Sequence, residues 1–307
     1  MIRLSLHNKI LLTVISIILF FGATATVYVF FLTEDNLIQA RQDGILVANF
    51  QKSEVVGELL AQSEHIVKAI SEFSEVHEYL ENEPDPQNAE ILSLFEKFNI
   101  GDAYSSIYLM DVNGNTLVST QESFVGENYS FRDYFFKALK GKPYIDLSIG
   151  VTSHELGYYF SYPVFSEEGA IIGVMVAKQK PEFVHKSLEE NEKRNGSNEY
   201  IETWLVDEYG IIIYARDEDD ELLYKSLGQL EESDLELIQE KKRFANIEIE
   251  SLTYDVVQDN LDVVFKTQTF EIFDKFHNRD EILVVDRVKT YPFFVISEIT
   301  SEGIKAS

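Results

Sequence analysis

"YLMDVNGNTLVS", residues 108–119, alternates apolar and polar positions around Asp111-x-x-Gly114, the pattern of a strand, a tight turn and a second strand. It returns as "WLVDEYGIIIYA", residues 204–215, where Asp207 and Gly210 each lie 96 positions beyond their counterparts. A constant interval between two such hairpins predicts a duplicated small α/β unit built on an antiparallel sheet, hence an α+β chain. Between the copies, "AIIGVMVAKQKP" (170–181) reads as a strand ending at a proline, and the polar helix after it is stopped by Gly196. The boundary between the units therefore falls near 181–198. "ILVVDRVKTYPFFVISEIT" (282–300) closes the second unit as a hairpin.

Upstream, Ile10 to Leu32 is a run of 23 residues without a charge, against roughly 20 needed to cross a bilayer. The expectation is an uncleaved transmembrane helix. The rival is a signal peptide cut after Ala23-Thr24-Ala25, but such apolar regions extend to roughly 15 residues and Val27 to Leu32 stay apolar. Arg3 and Lys9 precede the run while Glu34 and Asp35 follow it, which puts the N-terminus in the cytoplasm and residues 33–307 outside it. From Thr33 to about Leu80 apolar residues recur at helical spacing (Ile45, Val56, Leu60, Val67 and Ile70 among them), predicting a long helix that packs on the domain above. The functional alternative adds dimerisation and transmission of motion. The two prolines of "NEPDPQN" (82–88) are expected to interrupt it.

All 53 acidic residues and 24 of the 26 basic ones follow the apolar run, which excludes a general attraction to nucleic acid or anionic lipid while allowing a local cationic pocket. Without cysteine there is no disulfide framework, thiolate metal site or cysteine nucleophile. The six histidines form no HExxH pair, and neither a G-x-S-x-G elbow nor a P-loop is present, so no enzyme is predicted and no cofactor or metal is assigned. "DVNGN" has its glycine misplaced for a calcium loop and serves a turn, and "HNRDE" (277–281) reads as a solvated loop rather than a metal cluster.

In "NYSFRDYFFKALKGK" (128–142) Ser130 has the character of an N-cap and Asp133 lies at N3. Phe131, Tyr134, Phe135, Ala138 and Leu139 form one apolar helix face, ended by Gly141. Arg132 then occupies the second helical position, where a guanidinium beside the positive helix end calls for an anion: Asp133, another protein carboxylate, or a ligand. Downstream, Thr152 and Ser153 make a hydroxyl-rich strand end. Lys178 shares a strand face with Ile172, Val174 and Val176, and alternation alone leaves open whether that face is buried.

The order Asn128-Tyr129-Ser130-Phe131-Arg132-x-Tyr134-Phe135, Gly150-x-Thr152-Ser153, Gly157-Tyr158-Tyr159-x-Ser161-x-Pro163-Val164, Gly173-Val174-x-Val176-x-Lys178 resembles the double-Cache ectodomain of C4-dicarboxylate sensor histidine kinases. The likeness is dense over 105–180 and looser over 200–300. It implies two PAS-like antiparallel-sheet Cache subdomains on an N-terminal transmembrane helix and a long stalk helix. The implied boundaries are a cytoplasmic N-terminus 1–9, a membrane helix 10–32, a stalk 33–97, a distal ligand-binding subdomain 98–181, a linker helix 182–197 and a proximal subdomain 198–301. Residues 302–307 would approach a second membrane helix. It further implies a small di- or tricarboxylate ligand, one carboxylate held by Tyr129 and Arg132, the other by Thr152, Ser153 and Lys178, with Tyr159 and Ser161 lining the site. Asp133, where proline is frequent, and Val151 and His154 depart from the pattern. Amino-acid-sensing relatives end the last strand with an aspartate, whereas this chain has Lys178 near that place, which favours a ligand anionic at both ends. A homodimer through the stalk, an inner-membrane location and a following histidine kinase, diguanylate cyclase or chemoreceptor output complete the expectation. A non-sensing envelope protein is the contrasting one.

Overall fold

The computed structural model describes residues 6–82, 84–85, 87–194, 201–215, 221–275 and 278–300, without the side chains of 6–13, 30–38, 41, 190–194 and 300. Gly196, His277 and residues 302–307 lie outside the described residues. Helix α1 (Leu6–Ser71) is followed by α2 (Ser74–Glu81) and α3 (Ala89–Phe98). The first sheet contains β1 (Tyr104–Met110), β2 (Thr116–Ser119), β3 (Tyr144–Ile149), β4 (Leu156–Phe165) and β5 (Ile171–Gln179), with α4 (Asp133–Ala138) between β2 and β3. Helix α5 (Pro181–Arg194) leads to the second sheet, β6 (Glu202–Asp207), β7 (Ile212–Ala215), β8 (Gln268–Asp274), β9 (Arg279–Arg287) and β10 (Phe293–Thr300). Helices α6 (Glu232–Glu240) and α7 (Asp255–Gln258) lie between β7 and β8.

The strand orders are β2-β1-β5-β4-β3 and β7-β6-β10-β9-β8, all pairs antiparallel. Each strand of the first sheet thus has one counterpart in the second, which is the duplication expected from the two hairpins. Their turns share one chemistry. The Asp111 carboxylate accepts from the amides of Asn113 and Asn115, and the Asp207 carboxylate from those of Tyr209 and Ile211. Gly114 and Gly210 take φ of 88° and 76°, the left-handed conformation such a turn requires.

Helix α1 is buried at Val56, Leu60, Ser63, Val67 and Ile70, a four-three spacing that lays one stripe across the sheets. Against it pack Ile107, Leu147, Tyr158, Phe160 and Met175 of the first sheet and Leu205, Phe293 and Val295 of the second. Lower on the helix, the Asn49 amide donates to the carbonyls of Val284 and Val295 and to Asp286, pinning α1 to β9 and β10. The helix breaks earlier than the prolines imply, at Glu72 and Phe73, where Phe73 turns to extended geometry and packs edge-on to Phe98. Toward its N-terminus Val14, Ile15, Ile17, Ile18, Leu19, Phe20 and Phe21 are exposed. Among the described residues no helix is long and apolar enough to cross a membrane. The side chains at both ends of the 10–32 run lie outside them.

Candidate functional site

The face of the first sheet turned away from α1 carries an aromatic cluster: Tyr108, Phe124, Tyr129, Tyr134, Phe135 and Tyr159, with Val174 and Val176. The chain reaches it through the segment before α4. The Asn128 carboxamide accepts from the Ser130 amide, and the Tyr129 amide donates to the Gly114 carbonyl. A Cβ on Gly114 would meet Ser130 at 2.7 Å, so this close approach requires glycine. Ser130 is consumed in that turn and does not cap the helix. Arg132 itself is the N-cap residue, extended at φ −78° and ψ 140°, and Asp133 is the first helical residue. The capping box is thereby corrected, whereas Tyr134, Phe135 and Ala138 bury the face that their spacing predicts.

The Arg132 guanidinium is buried and donates to three backbone carbonyls: Lys241 at 3.0 Å and Lys242 at 3.2 Å through Nη1, Ile149 at 2.8 Å through Nη2. Lys241 is the C-cap of α6, so the cation faces the negative end of a helix from the second unit. Asp133 stands 3.5 Å from Lys241 Nζ.

The turn between β3 and β4 supplies the other groups. Tyr129 Oη and Thr152 Oγ1 share a hydrogen bond of 2.7 Å. Lys178 Nζ donates to Ser153 Oγ at 2.6 Å and to the Glu155 carbonyl at 3.1 Å, and lies 5.7 Å from the centre of the Tyr159 ring. Tyr159 stacks on Tyr134 with ring centres 5.1 Å apart. A Cβ on Gly150 would come within 2.3 Å of Ser153 Oγ, 2.8 Å of Tyr159 Oη and 3.5 Å of Lys178 Nζ, so these three side chains converge over a glycine. Strand β5 is buried on both faces, and Lys178, 1% exposed, shares the parity of Val174 and Val176, which pack in the aromatic cluster. Burial brings its ammonium down to about 8, Glu155 opposing and Arg132 adding to the shift.

Six of the residues singled out from sequence thus surround one turn. Ser161 differs, because its hydroxyl donates to the Tyr134 and Tyr144 carbonyls and holds α4 against β3 and β4. Sequence reasoning missed Ser106 and Ser148, whose buried hydroxyls have no partner among the described residues. Ser106 faces Lys178 across β1 and β5, and Ser148 faces Gly157 across β3 and β4. Their alternation with Tyr108 and Asp146 along the strands was the available signal.

Arg243 was also missed. Buried in the turn after α6, it grips both Glu208 oxygens at 2.8 and 3.1 Å and stands 3.4 Å from Asp207 and 3.6 Å from Asp146 of the first unit. Its carbonyl accepts from the Ile149 amide at 2.8 Å, one residue before the turn that holds Thr152 and Ser153. Burial raises Asp146 to about 6 against the pull of Arg243 and Arg132.

The Cache domain family model matches residues 24–307. The C4-dicarboxylate transport sensor protein DctB of Pseudomonas aeruginosa is 33% identical over 117 residues, a match covering 37% of this chain and 18% of that protein. Among solved structures, the sensor domain of the V. cholerae histidine kinase DctB superposes with a TM-score of 0.67 at 20% identity, covering 86% of this chain and 98% of that one. The sensory domain of the Campylobacter jejuni chemoreceptor Tlp3 with isoleucine bound gives 0.59 at 14% identity, covering 89% and 98%. The Pseudomonas aeruginosa amino-acid chemoreceptor PctC in complex with GABA gives 0.54 at 16% identity, covering 85% and 100%. With two matching antiparallel sheets along one helix and a family match over most of its length, this chain belongs to the Cache domain family, as a ligand-binding sensor module and not an enzyme.

Proposed function

We propose that this chain is the extracytoplasmic sensor region of a transmembrane signalling receptor and that its first unit binds a small dicarboxylate. The observation that carries the reading is a pair of buried cations, Arg132 and Lys178, flanking one turn with only carbonyls and a hydroxyl as acceptors among the described residues. Arg132 with Tyr129 would take one carboxylate. Lys178 with Thr152 and Ser153 would take the other, while Tyr159 supplies an aromatic wall. Both cations already have neutral acceptors, so a ligand carboxylate would exchange bonds charged on one side for bonds charged on both. The exposed apolar stretch of α1 at residues 14–29 supports a membrane anchor for residues 10–32, with α1 as the stalk of a homodimer and a histidine kinase or diguanylate cyclase as output.

Ligand that draws Arg132 off the Lys241 and Lys242 carbonyls loosens the contact between the units. The resulting bias between two arrangements equals the ligand's difference in affinity for them. A melting panel of succinate, malate, fumarate, citrate, amino acids and monocarboxylates tests the reading. A dicarboxylate at 100 times its Kd stabilises by about 2.7 kcal/mol; a response to amino acids alone replaces it with amino-acid sensing, which the likeness to Tlp3 and PctC supports as the second reading.

A further inference from the structure

The two sheets can be compared position by position. Met110 faces Val174 as Val206 faces Phe294, and counting along these strands puts Glu298 in the place of Lys178. Lys178 pairs with Tyr159 and Glu298 with Leu283, so Glu281 takes the place of Gly157. Ser148 pairs with Gly157 and Ile272 with Glu281, so Asp274 takes the place of Gly150. In the first unit the two glycines crowd around Lys178, a Cβ on Gly157 falling 2.4 Å from its Cε. The same three positions in the second unit are carboxylates.

Asp274, Glu281 and Glu298 are buried, and one oxygen from each lies within 4.8 Å of the others. Two oxygens on opposite sides of an ion held at about 2.4 Å are about 4.8 Å apart. Glu281 Oε2 is fully buried and has no partner among the described residues. Among the described residues Arg279 binds Glu281 Oε1, stands 3.9 Å from Glu298 and is 42% exposed. Glu202 pairs with Glu298 on the adjoining strand β6 and adds its charge to the surroundings of the cluster. Tyr254 donates to Asp274 Oδ1 at 3.2 Å and orients it. Arg279 to Glu281 begin β9, exposed at Arg279 and Asp280 and buried at Glu281, where a loop was expected from sequence.

We infer that Asp274, Glu281 and Glu298 form a binding site for a hard divalent cation in the second unit, at the register positions where the first unit carries Lys178 and its glycines. An all-oxygen carboxylate set selects calcium, magnesium or manganese over softer metals. The site joins the ends of β8, β9 and β10, so the ion would tie the last strand of the sheet to its neighbours.

Calorimetric titration of the purified full chain with CaCl2, MgCl2 and MnCl2 tests the site. The result expected is saturable binding with Kd of about 10⁻⁴–10⁻³ M, weakened at least about tenfold in Glu281→Gln and Asp274→Asn, and unchanged in Glu96→Gln, an exposed carboxylate on α3. Should the carboxylate variants fail to fold, terbium luminescence in the wild-type chain is the second readout. Trp204, the single tryptophan, stacks on Tyr254, so bound terbium is sensitised at its excitation and displaced by calcium. A flat titration to about 10 mM with no sensitised terbium overturns the inference, as does binding that the carboxylate variants leave intact.

Discussion

Arg132 of the first unit donates to the carbonyl of Lys241 in the second at 3.0 Å, so the candidate ligand-binding arginine is also a bond between the two halves of the sensor. Because that guanidinium also serves Lys242 and Ile149, Arg132→Ala leaves three carbonyls without their donor. A charged hydrogen bond is worth about 1.5–3 kcal/mol, and relaxation recovers part of it. Urea unfolding of Arg132→Ala should show a loss of about 2 kcal/mol, partly restored in Arg132→Lys. An unchanged midpoint would mean that the inter-unit bonds carry no stability.

Arg243 joins Asp146 to Asp207 and Glu208. Arg243→Ala strips its counter-charge from two buried aspartates and should cost about 3–5 kcal/mol in the same assay, more than any single hydroxyl deletion at the site.

The same pair fixes a pH dependence. The Asp146 carboxyl lies at about 6 in the folded chain against an ordinary 3.8, so the folded state holds a proton that the unfolded state releases in between. Its contribution to stability is complete below 3.8 and is lost as pH rises through about 6. Asp207, raised by burial, acts in the same direction. Stability should therefore fall between about pH 4 and pH 6, and Asp146→Asn should flatten that fall; a slope unchanged in the variant contradicts the assignment.

Lys178 lies at about 8 because burial opposes its charge. A bridging carboxylate favours the ammonium, so dicarboxylate binding near pH 8 should take up a fraction of a proton, and at pH 6 none. Calorimetry in two buffers of different ionisation enthalpy reads this directly, and the uptake should vanish in Lys178→Ala.

Gly157→Ala adds one methyl group 2.4 Å from Lys178 Cε and removes no polar group. Displacing the lysine should weaken dicarboxylate binding about tenfold, roughly 1.4 kcal/mol, with little change in Arg132-dependent stability. Equal affinity in the variant would place Lys178 outside the site.

The duplication was legible because each Asp-x-x-Gly turn is a local device: one carboxylate satisfies two amides within four residues, and glycine supplies the positive φ. The residues around Lys178 were legible through ordered motifs. The cap was not, since Ser130 had two local uses and its contact with Gly114 decided between them. Arg243 and its partners lie on three separate segments, and Asp274, Glu281 and Glu298 on three strands, so no window of sequence holds either cluster. The early end of α1 follows from Phe73 meeting Phe98, another distant pair.

The proposed sensing step requires one ligand to span Arg132 and Lys178. Its most direct test is calorimetric titration of succinate into the wild-type chain, Arg132→Lys and Lys178→Ala, with a monocarboxylate of equal length as control. Wild type should bind succinate, each variant should bind it at least about tenfold (about 1.4 kcal/mol) more weakly, and wild type should bind the monocarboxylate no better than Lys178→Ala binds succinate. Succinate affinity unchanged by either substitution would contradict it.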